Sequence, residues 1–531
     1  VQALLSFALV ALLPAQQPDP VPAPSAVAAA PCDDGLTTAA TPQPVFVRMR
    51  DQLFAIGGEY EAFCTDNATA PRSQVRKQAL ADLHRKAEQS WQQVQATVTA
   101  LLRSGELHSV QRFWIVNGFA ADATGTTVKQ LAALPAVGSV HRQTQPDGVQ
   151  HRTEPHAARW LADRQQDEQQ ALAMQQAQGD EGPFTAEGLV IPWNLQTIRA
   201  DAAWQLGAHG EGVVIALLDT GVLCTEPLVQ ALWRNPHEQQ DGKDDDGNGL
   251  VDDLFGWDFT GDTRFVVGDG PQSHGTMCGG ILAGRPWGVP RTVTGVAPRA
   301  RLMVLRGMGS LRAYEYAATM GAQVLSMSYM WIDVELGSYR GVFRTAHEHL
   351  AACGITAVGG AGNFARTAPA GRQIALPKDI PCVIAAAGIG RDGTVPPFSS
   401  RGPCTWDDVP WFHDFPASAP LHKPDVTGCS SGFPVWHWTA MPSRQVEVVW
   451  QDERGIGLIL GPQGNSFAGP HAGGVAALML SANPELTPWR VQALMLQTCK
   501  DLGAPGWDPI HGAGLLQADA AVAAAKAAKV Q

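Results

Sequence analysis

From about Pro192 onward the chain repeats one pattern, a short and almost unbroken apolar run followed by a helical stretch. The runs lie at 213–218, 302–305, 324–327, 355–358 and 383–387. Successive side chains of a strand point to opposite faces, so a strand that is apolar throughout must be covered on both. The pattern therefore predicts an α/β fold, a doubly wound parallel sheet with helices on both faces. In such folds the working groups gather beyond the carboxyl ends of the strands, where the loops converge.

With 531 residues the chain should hold two or three units, and a net charge of -12 argues against a nucleic-acid partner. No apolar run reaches the roughly 18 residues of a spanning helix. Residues 3–13 are nearly all apolar and Ala15 follows as a small residue for cleavage, which reads as an export signal, although no Met and no basic residue precede the run. The alternative is a truncated or disordered tail. A Pro-rich linker covers 18–31. The expected location is secreted, periplasmic or at the cell envelope. Export permits disulfides, but nine cysteines leave at least one unpaired within a monomer.

Residues 44–145 read as a small α/β unit. Leu80, Leu83, Ala87, Trp91, Val94, Val98 and Leu101 recur at helical spacing, 109–119 and 137–141 read as strands, and 128–134 as a second helix. The Gln-rich stretch 146–185 has no apolar run long enough to bury and reads as an exposed linker.

Three separated motifs supply the parts of a nucleophilic site: Asp219 at the end of VVIALLD, His274 in SHGTMCGG and Ser466 in GNSFAGPHAGG. An imidazole can deprotonate a hydroxyl when a carboxylate orients it. Ser466 opens an apolar helix, whose first NH groups favour developing negative charge. Asn363, after a Gly-rich turn in AVGGAGN, can offer an amide to an oxyanion. Cys278, one helical turn beyond His274, lies beneath the site or serves as a small buried hydrophobe. Taken singly, each residue has a blander reading: a turn Asp, a surface His, a helix-capping Ser and a turn Asn.

The blocks around these residues resemble the subtilisin-like serine proteases, the subtilase family, in its secreted bacillopeptidase-like bacterial form. The order Asp…His…Ser is that family's. PWNLQTIRADAAWQLGAHGEGVVIALLDTGV, VPPFSSRGP, KPDVTG and DLGAPGWDPIHGAGLLQADAAV extend the likeness over about 190–525, a catalytic domain placed at 190–527. Asn465 and Phe467 stand where the family has Thr and Met, and neither change removes a catalytic atom. The resemblance implies a serine endopeptidase acting on protein or peptide substrates. Asp219, His274 and Ser466 would form its triad and Asn363 would serve the oxyanion. It also implies that 44–145 is a propeptide, both inhibitor and chaperone, with maturation inside 146–189. The alternatives are an unrelated N-terminal binding domain, a catalytically silent subtilase fold used as a scaffold, and an esterase or amidase.

Substrate contacts implied by the resemblance are Ser328, Tyr329 and Met330 on one side of the cleft and Gly359, Gly360, Ala361 and Gly362 on the other. Met330 replaces a usual Gly, so large aromatic residues before the scissile bond should be disfavoured. Asp244, Asp246 and Asn248, then Leu250 and Asp252, match the start of a calcium loop but lack its terminal Glu. A solvated acidic turn is the alternative. The chemistry itself calls for no cofactor. The Trp- and Pro-rich stretch 404–463 does not fit the family pattern and reads as a surface excursion.

Overall fold

The computed structural model describes residues 29–144, 157–177, 182–268, 274–332, 334–438, 447–453, 455–460 and 463–530. The expected export signal, and the parts of the expected maturation stretch at 146–156 and 178–181, lie outside these residues.

The N-terminal unit is a four-stranded antiparallel sheet of β1 (Gln43–Met49), β2 (Leu107–Phe113), β3 (Gly118–Ala123) and β4 (Val137–Arg142), in the order β2-β3-β1-β4. The single strand expected at 109–119 is two strands around a turn at 114–117, and β1 was not foreseen. Alternation explains both. Val45, Val47, Met49, Phe119 and Ala121 face the unit's own core, while Phe46, Phe113 and Ala120 pack into a core shared with the following unit. Both faces of β1 and β3 are covered, so no polar alternation marks them, whereas the middle of β2 is exposed.

The helix Arg72–Ser104 buries Val75, Ala79, Leu83, Ala87, Ser90, Val94, Val98 and Leu101 along one stripe and ends at Gly105 in the left-handed region. The stretch expected to be an exposed linker carries a helix, Ala157–Ala177. Ala171 and Leu172 are buried, and Glu168 pairs with Arg264 across the interface. Met174 against the core and Gln175, which donates to the Val229 and Leu232 carbonyls, help to seat it, and so few apolar residues do not stand out as a run.

The larger unit is built on seven strands: β5 (Val214–Leu218), β6 (Gly256–Asp258), β7 (Arg301–Arg306), β8 (Val324–Met327), β9 (Thr356–Gly360), β10 (Val383–Ile389) and β11 (Val426–Cys429). All pairings are parallel, in the order β11-β10-β9-β8-β5-β7-β6. Ile215 and Leu217 pack into one helix layer, and Ala216 and Leu218 into the other, as the unbroken apolar runs require. The chain lays β6 and β7 on one side of β5, then crosses to build β8 to β11 on the other. The loops leaving β5 and β8 diverge at this reversal and open a crevice.

A small antiparallel sheet of β12 (Val435–Trp438), β13 (Glu447–Gln451) and β14 (Ile456–Leu460) lies beside the helix that begins at His274. The excursion at 404–421 is not superficial: Trp406, Val409 and Phe412 are fully buried.

Candidate active site

Asp219 is the first residue past β5 and is 3% exposed. Its NH donates to the Leu305 carbonyl at 2.9 Å, extending the strand ladder and fixing the side chain at the sheet edge. Its Oδ1 accepts from Thr220 N at 2.8 Å and bonds His274 Nδ1 at 2.7 Å. His274 starts the helix His274–Ala283, and Gly275 N donates to Thr220 Oγ1 at 2.9 Å. A Cβ on Gly275 would sit 2.2 Å from the Gly221 carbonyl, so only glycine lets this helix approach the carboxylate loop.

Burial disfavours the imidazolium, but the Asp219 charge and hydrogen bond outweigh it and hold His274 well above its ordinary value. With Nδ1 committed to Asp219, Nε2 is the nitrogen left to exchange a proton.

Ser466 lies in the first turn of the helix Asn465–Ala482, where NH groups have no intrahelical acceptor. Its carbonyl accepts from Ser328 Oγ at 2.7 Å and from the Cys278 thiol at 3.5 Å; that thiol lies 3.9 Å from His274 Nδ1. Cys278 is therefore both the buried hydrophobe and the floor beneath the site. The Ser466 hydroxyl donates to the Ser328 carbonyl at 3.3 Å rather than to His274. Hydrogen bonds of this kind often tighten only with substrate bound. Asn363 Oδ1 accepts from Asn465 N at 2.8 Å, which anchors the amide beside the serine turn and leaves Nδ2 as a donor. A Cβ on Gly360 would lie 1.9 Å from the Asn465 carbonyl, so β9 and the serine helix meet only through a glycine.

A cavity of about 90 Å³ opens beside Ser466, lined by Ser328, Tyr329, Met330, Gly360, Gly362, Asn363 and Phe364. Two residues expected there do not line it. Ala361 is fully buried, and a Cβ on Gly359 would strike Lys378 Cε at 2.2 Å. The Met330 thioether accepts from Ala375 N at 3.4 Å, and its Sδ and Cε lie 3.0 Å from where a Gly362 Cβ would be. Met330 thus plugs the cavity between its two walls. Met330→Gly should raise kcat/KM for substrates with Phe before the scissile bond by about tenfold or more relative to Ala, measured on matched peptides. An unchanged ratio would clear Met330 of that role.

Lys378 was not foreseen. It is fully buried, donates to the Tyr329 carbonyl and has its ammonium 4.7 Å from that ring's centroid; burial lowers its pKa to about 7. No motif marks it, since a lone Lys among apolar residues reads as surface. A cavity of about 750 Å³ lies elsewhere, beside Gln175, Arg234, Arg299 and Arg301, and holds none of these groups.

The acidic loop is arranged differently from expectation. Asp244 spends its carboxylate on the NH groups of Gly247, Asn248 and Gly249, and Asp252 on Arg264 and the NH groups of Asp241 and Gly242. Asn248 bonds Asp253 and the Leu250 NH. Of the expected set only Asp246 joins a cluster, with Glu238 and Asp253, whose carboxylate oxygens lie within 4.8 Å of one another. Glu238 Oε2 is buried without a partner, and burial raises Asp253 to about 6.

The subtilase family pattern matches residues 210–514. The chain is 23% identical over 453 residues to Bacillopeptidase F of Bacillus subtilis, covering 82% of this chain and 27% of that protein. It is 26% identical over 370 residues to a calcium-dependent protease of Nostoc sp., covering 62% of this chain and 49% of that protein. The chain thus spans less than two thirds of either relative. Among solved structures, fervidolysin from Fervidobacterium pennivorans, described as a keratinolytic enzyme related to subtilisin, has the same fold. Its TM-score is 0.54 at 18% identity, over 93% of this chain and 63% of that one. The matched span exceeds half of the 531 residues, and the chain belongs to the subtilase family of serine peptidases.

Proposed function

We propose that the protein is a secreted serine endopeptidase that cleaves protein substrates through an acyl-enzyme and is made as a self-processing precursor. Ser466 attacks the scissile carbonyl, His274 takes the proton and passes it to the leaving amine, and Asp219 orients the imidazole. Asn363 Nδ2 and the Ser466 NH receive the oxyanion. The observation that carries this reading is the 2.7 Å bond from buried Asp219 to His274, at a crevice that also holds Ser466. A fluorophosphonate should label Ser466 in the processed protein. Absence of labelling there would favour the silent scaffold, in which Ser466 stays on the Ser328 carbonyl.

Residues 44–145 serve as the inhibitory prosegment in this reading, with the cut inside 146–189. The unit sits on the helices Leu311–Thr319 and Arg340–Ala352: Glu315 accepts from Trp114 N and Ile115 N, and His349 bridges Phe54 N at 3.1 Å and the Ile115 carbonyl at 2.6 Å.

A structural calcium ion fits Glu238, half-buried Asp246 and Asp253, since crowded carboxylates with an orphaned oxygen match a hard cation's donor set. The raised pKa of Asp253 sets the sign without metal. The folded state holds a proton the unfolded chain has shed, so this group's contribution is present at low pH and lost as pH rises toward 6. Calcium should therefore raise Tm by several degrees above pH 6 and by much less near pH 4, read by calorimetry against a chelator control. Equal shifts at both pH values would place the ion elsewhere.

A further inference from the structure

Residues 404–421, between the family-like segments 395–403 and 423–428, are built as a rigid ledge on the Arg340–Ala352 helix. Arg344 forks onto Asp414 and bonds Glu348 at 2.7 Å. Arg340 reaches Asp408 and the Thr405 carbonyl, with its guanidinium 3.8 Å from the centre of the Trp406 ring. Trp406 Nε1 donates to the Asp379 carbonyl at 2.7 Å, and Trp406 and Phe412 are fully buried.

The outer edge of this ledge meets the N-terminal unit, while the Trp411 ring also packs over Gly341 of the helix beneath. The Trp411 carbonyl accepts from Gly57 N at 2.9 Å, and the Trp411 ring lies 5.2 Å from the His141 ring. The Arg48 guanidinium sits 5.0 Å from the centre of the Trp411 indole. Arg48 is 6% exposed and donates to the Ala55 carbonyl, and its Nε has no acceptor. The aromatic face, with the nearby Glu59 charge, therefore favours a cation that burial disfavours. A Cβ on Gly57 would fall 2.8 Å from Asp414 Cγ, so the N-terminal backbone seats directly on the ledge at that point.

We propose that 404–421 is a docking ledge for this chain's own N-terminal unit, an added set of contacts that slows the unit's departure once the connecting segment is cut. The inference rests on the reading of 44–145 as an inhibitory prosegment. The ledge reaches that unit through Gly57, Arg48 and His141, and none of these contacts touches Asp219, His274 or Ser466. The ledge should change occupancy and leave the chemistry alone.

The test uses the full chain with a site for a sequence-specific protease placed in 146–156, in the parent and in Trp411→Ala, Trp411→Phe and Arg48→Leu. After cutting, the parent's N-terminal unit should co-elute with the rest on size exclusion. Trp411→Ala and Arg48→Leu should speed its loss on the order of tenfold to a hundredfold, with Trp411→Phe between. Peptidase activity should appear at the same rates, and the released enzymes should share one kcat/KM. Because Arg48→Leu leaves the larger unit untouched, a folding defect in Trp411→Ala would not decide the matter. Immediate loss in the parent, or loss in both variants within about twofold of the parent, would overturn the ledge. Full activity with the unit still bound would instead overturn the prosegment reading, while the loss rates still decide on the ledge.

Discussion

Replacing Ser466 with alanine should abolish turnover while leaving the protein folded. The hydroxyl makes a single 3.3 Å bond, to the Ser328 carbonyl, so its removal should cost about 1 kcal/mol or less. The turn stays anchored through the Ser466 carbonyl, held by Ser328 and Cys278, and through Asn465, which donates to the Gly362 carbonyl at 2.8 Å and to Ser399 Oγ at 3.0 Å. The chemical effect is far larger. Without the nucleophile no acyl-enzyme forms, and kcat should fall on the order of 10⁶-fold, the size of the effect in subtilisin itself. The measurements are peptide hydrolysis, fluorophosphonate labelling and Tm on the same preparation. Self-processing predicts further that the uncut chain accumulates in this variant. Turnover above about 1% of the parent, with Tm unchanged, would remove Ser466 from the chemistry.

The elements that hold this site were largely legible because each has a local cause. An apolar run with both faces covered announces a parallel strand, and Asp219 ends one. Gly275 and Gly360 mark the places where a helix or strand must approach bare backbone. What could not be read depends on partners distant in sequence. β1 hides because Phe46 is as buried as Val45 and Val47, though against a different unit. The helix at Ala157–Ala177 hides because Glu168 gains its place from Arg264 and Gln240, both far away in sequence. In the acidic loop, spacing cannot separate a metal ligand from a carboxylate that caps NH groups, since both need the same tight turns. Asp244 caps, whereas Asp246 both caps the Asn248 NH and joins Glu238, which no loop motif includes. The excursion at 404–421 looked superficial because its Trp and Phe residues are interspersed with Pro and Asp, of which Asp408 and Asp414 anchor Arg340 and Arg344.

Asp219→Asn should lower kcat by about 10⁴-fold and move the acid limb of the pH profile down. Asp219 Oδ1 accepts from both His274 Nδ1 and Thr220 N. An asparagine that keeps its oxygen at this position retains both hydrogen bonds but not the charge, so the imidazolium formed when His274 takes the serine proton loses its electrostatic partner. The pH effect follows from the same bond. His274 acts as a base only when neutral, so activity is present above its pKa and lost as pH falls through it. Asp219 holds that pKa well above 6.5 against the opposing effect of burial, which places the parent's limb above that value. Removing the charge leaves burial unopposed, and the limb in kcat/KM should drop below its parent position. Stability carries the matching signature. The raised His274 pKa stabilises the fold below about pH 6.5, and that contribution fades as pH rises through the folded value, so Asp219→Asn should lose more Tm in acid than in alkali. Cys278, 3.9 Å from the same nitrogen, gives the control: Cys278→Ala should leave the limb in place if the carboxylate dominates. A limb that moved with the thiol and not with Asp219 would transfer the orienting role to Cys278.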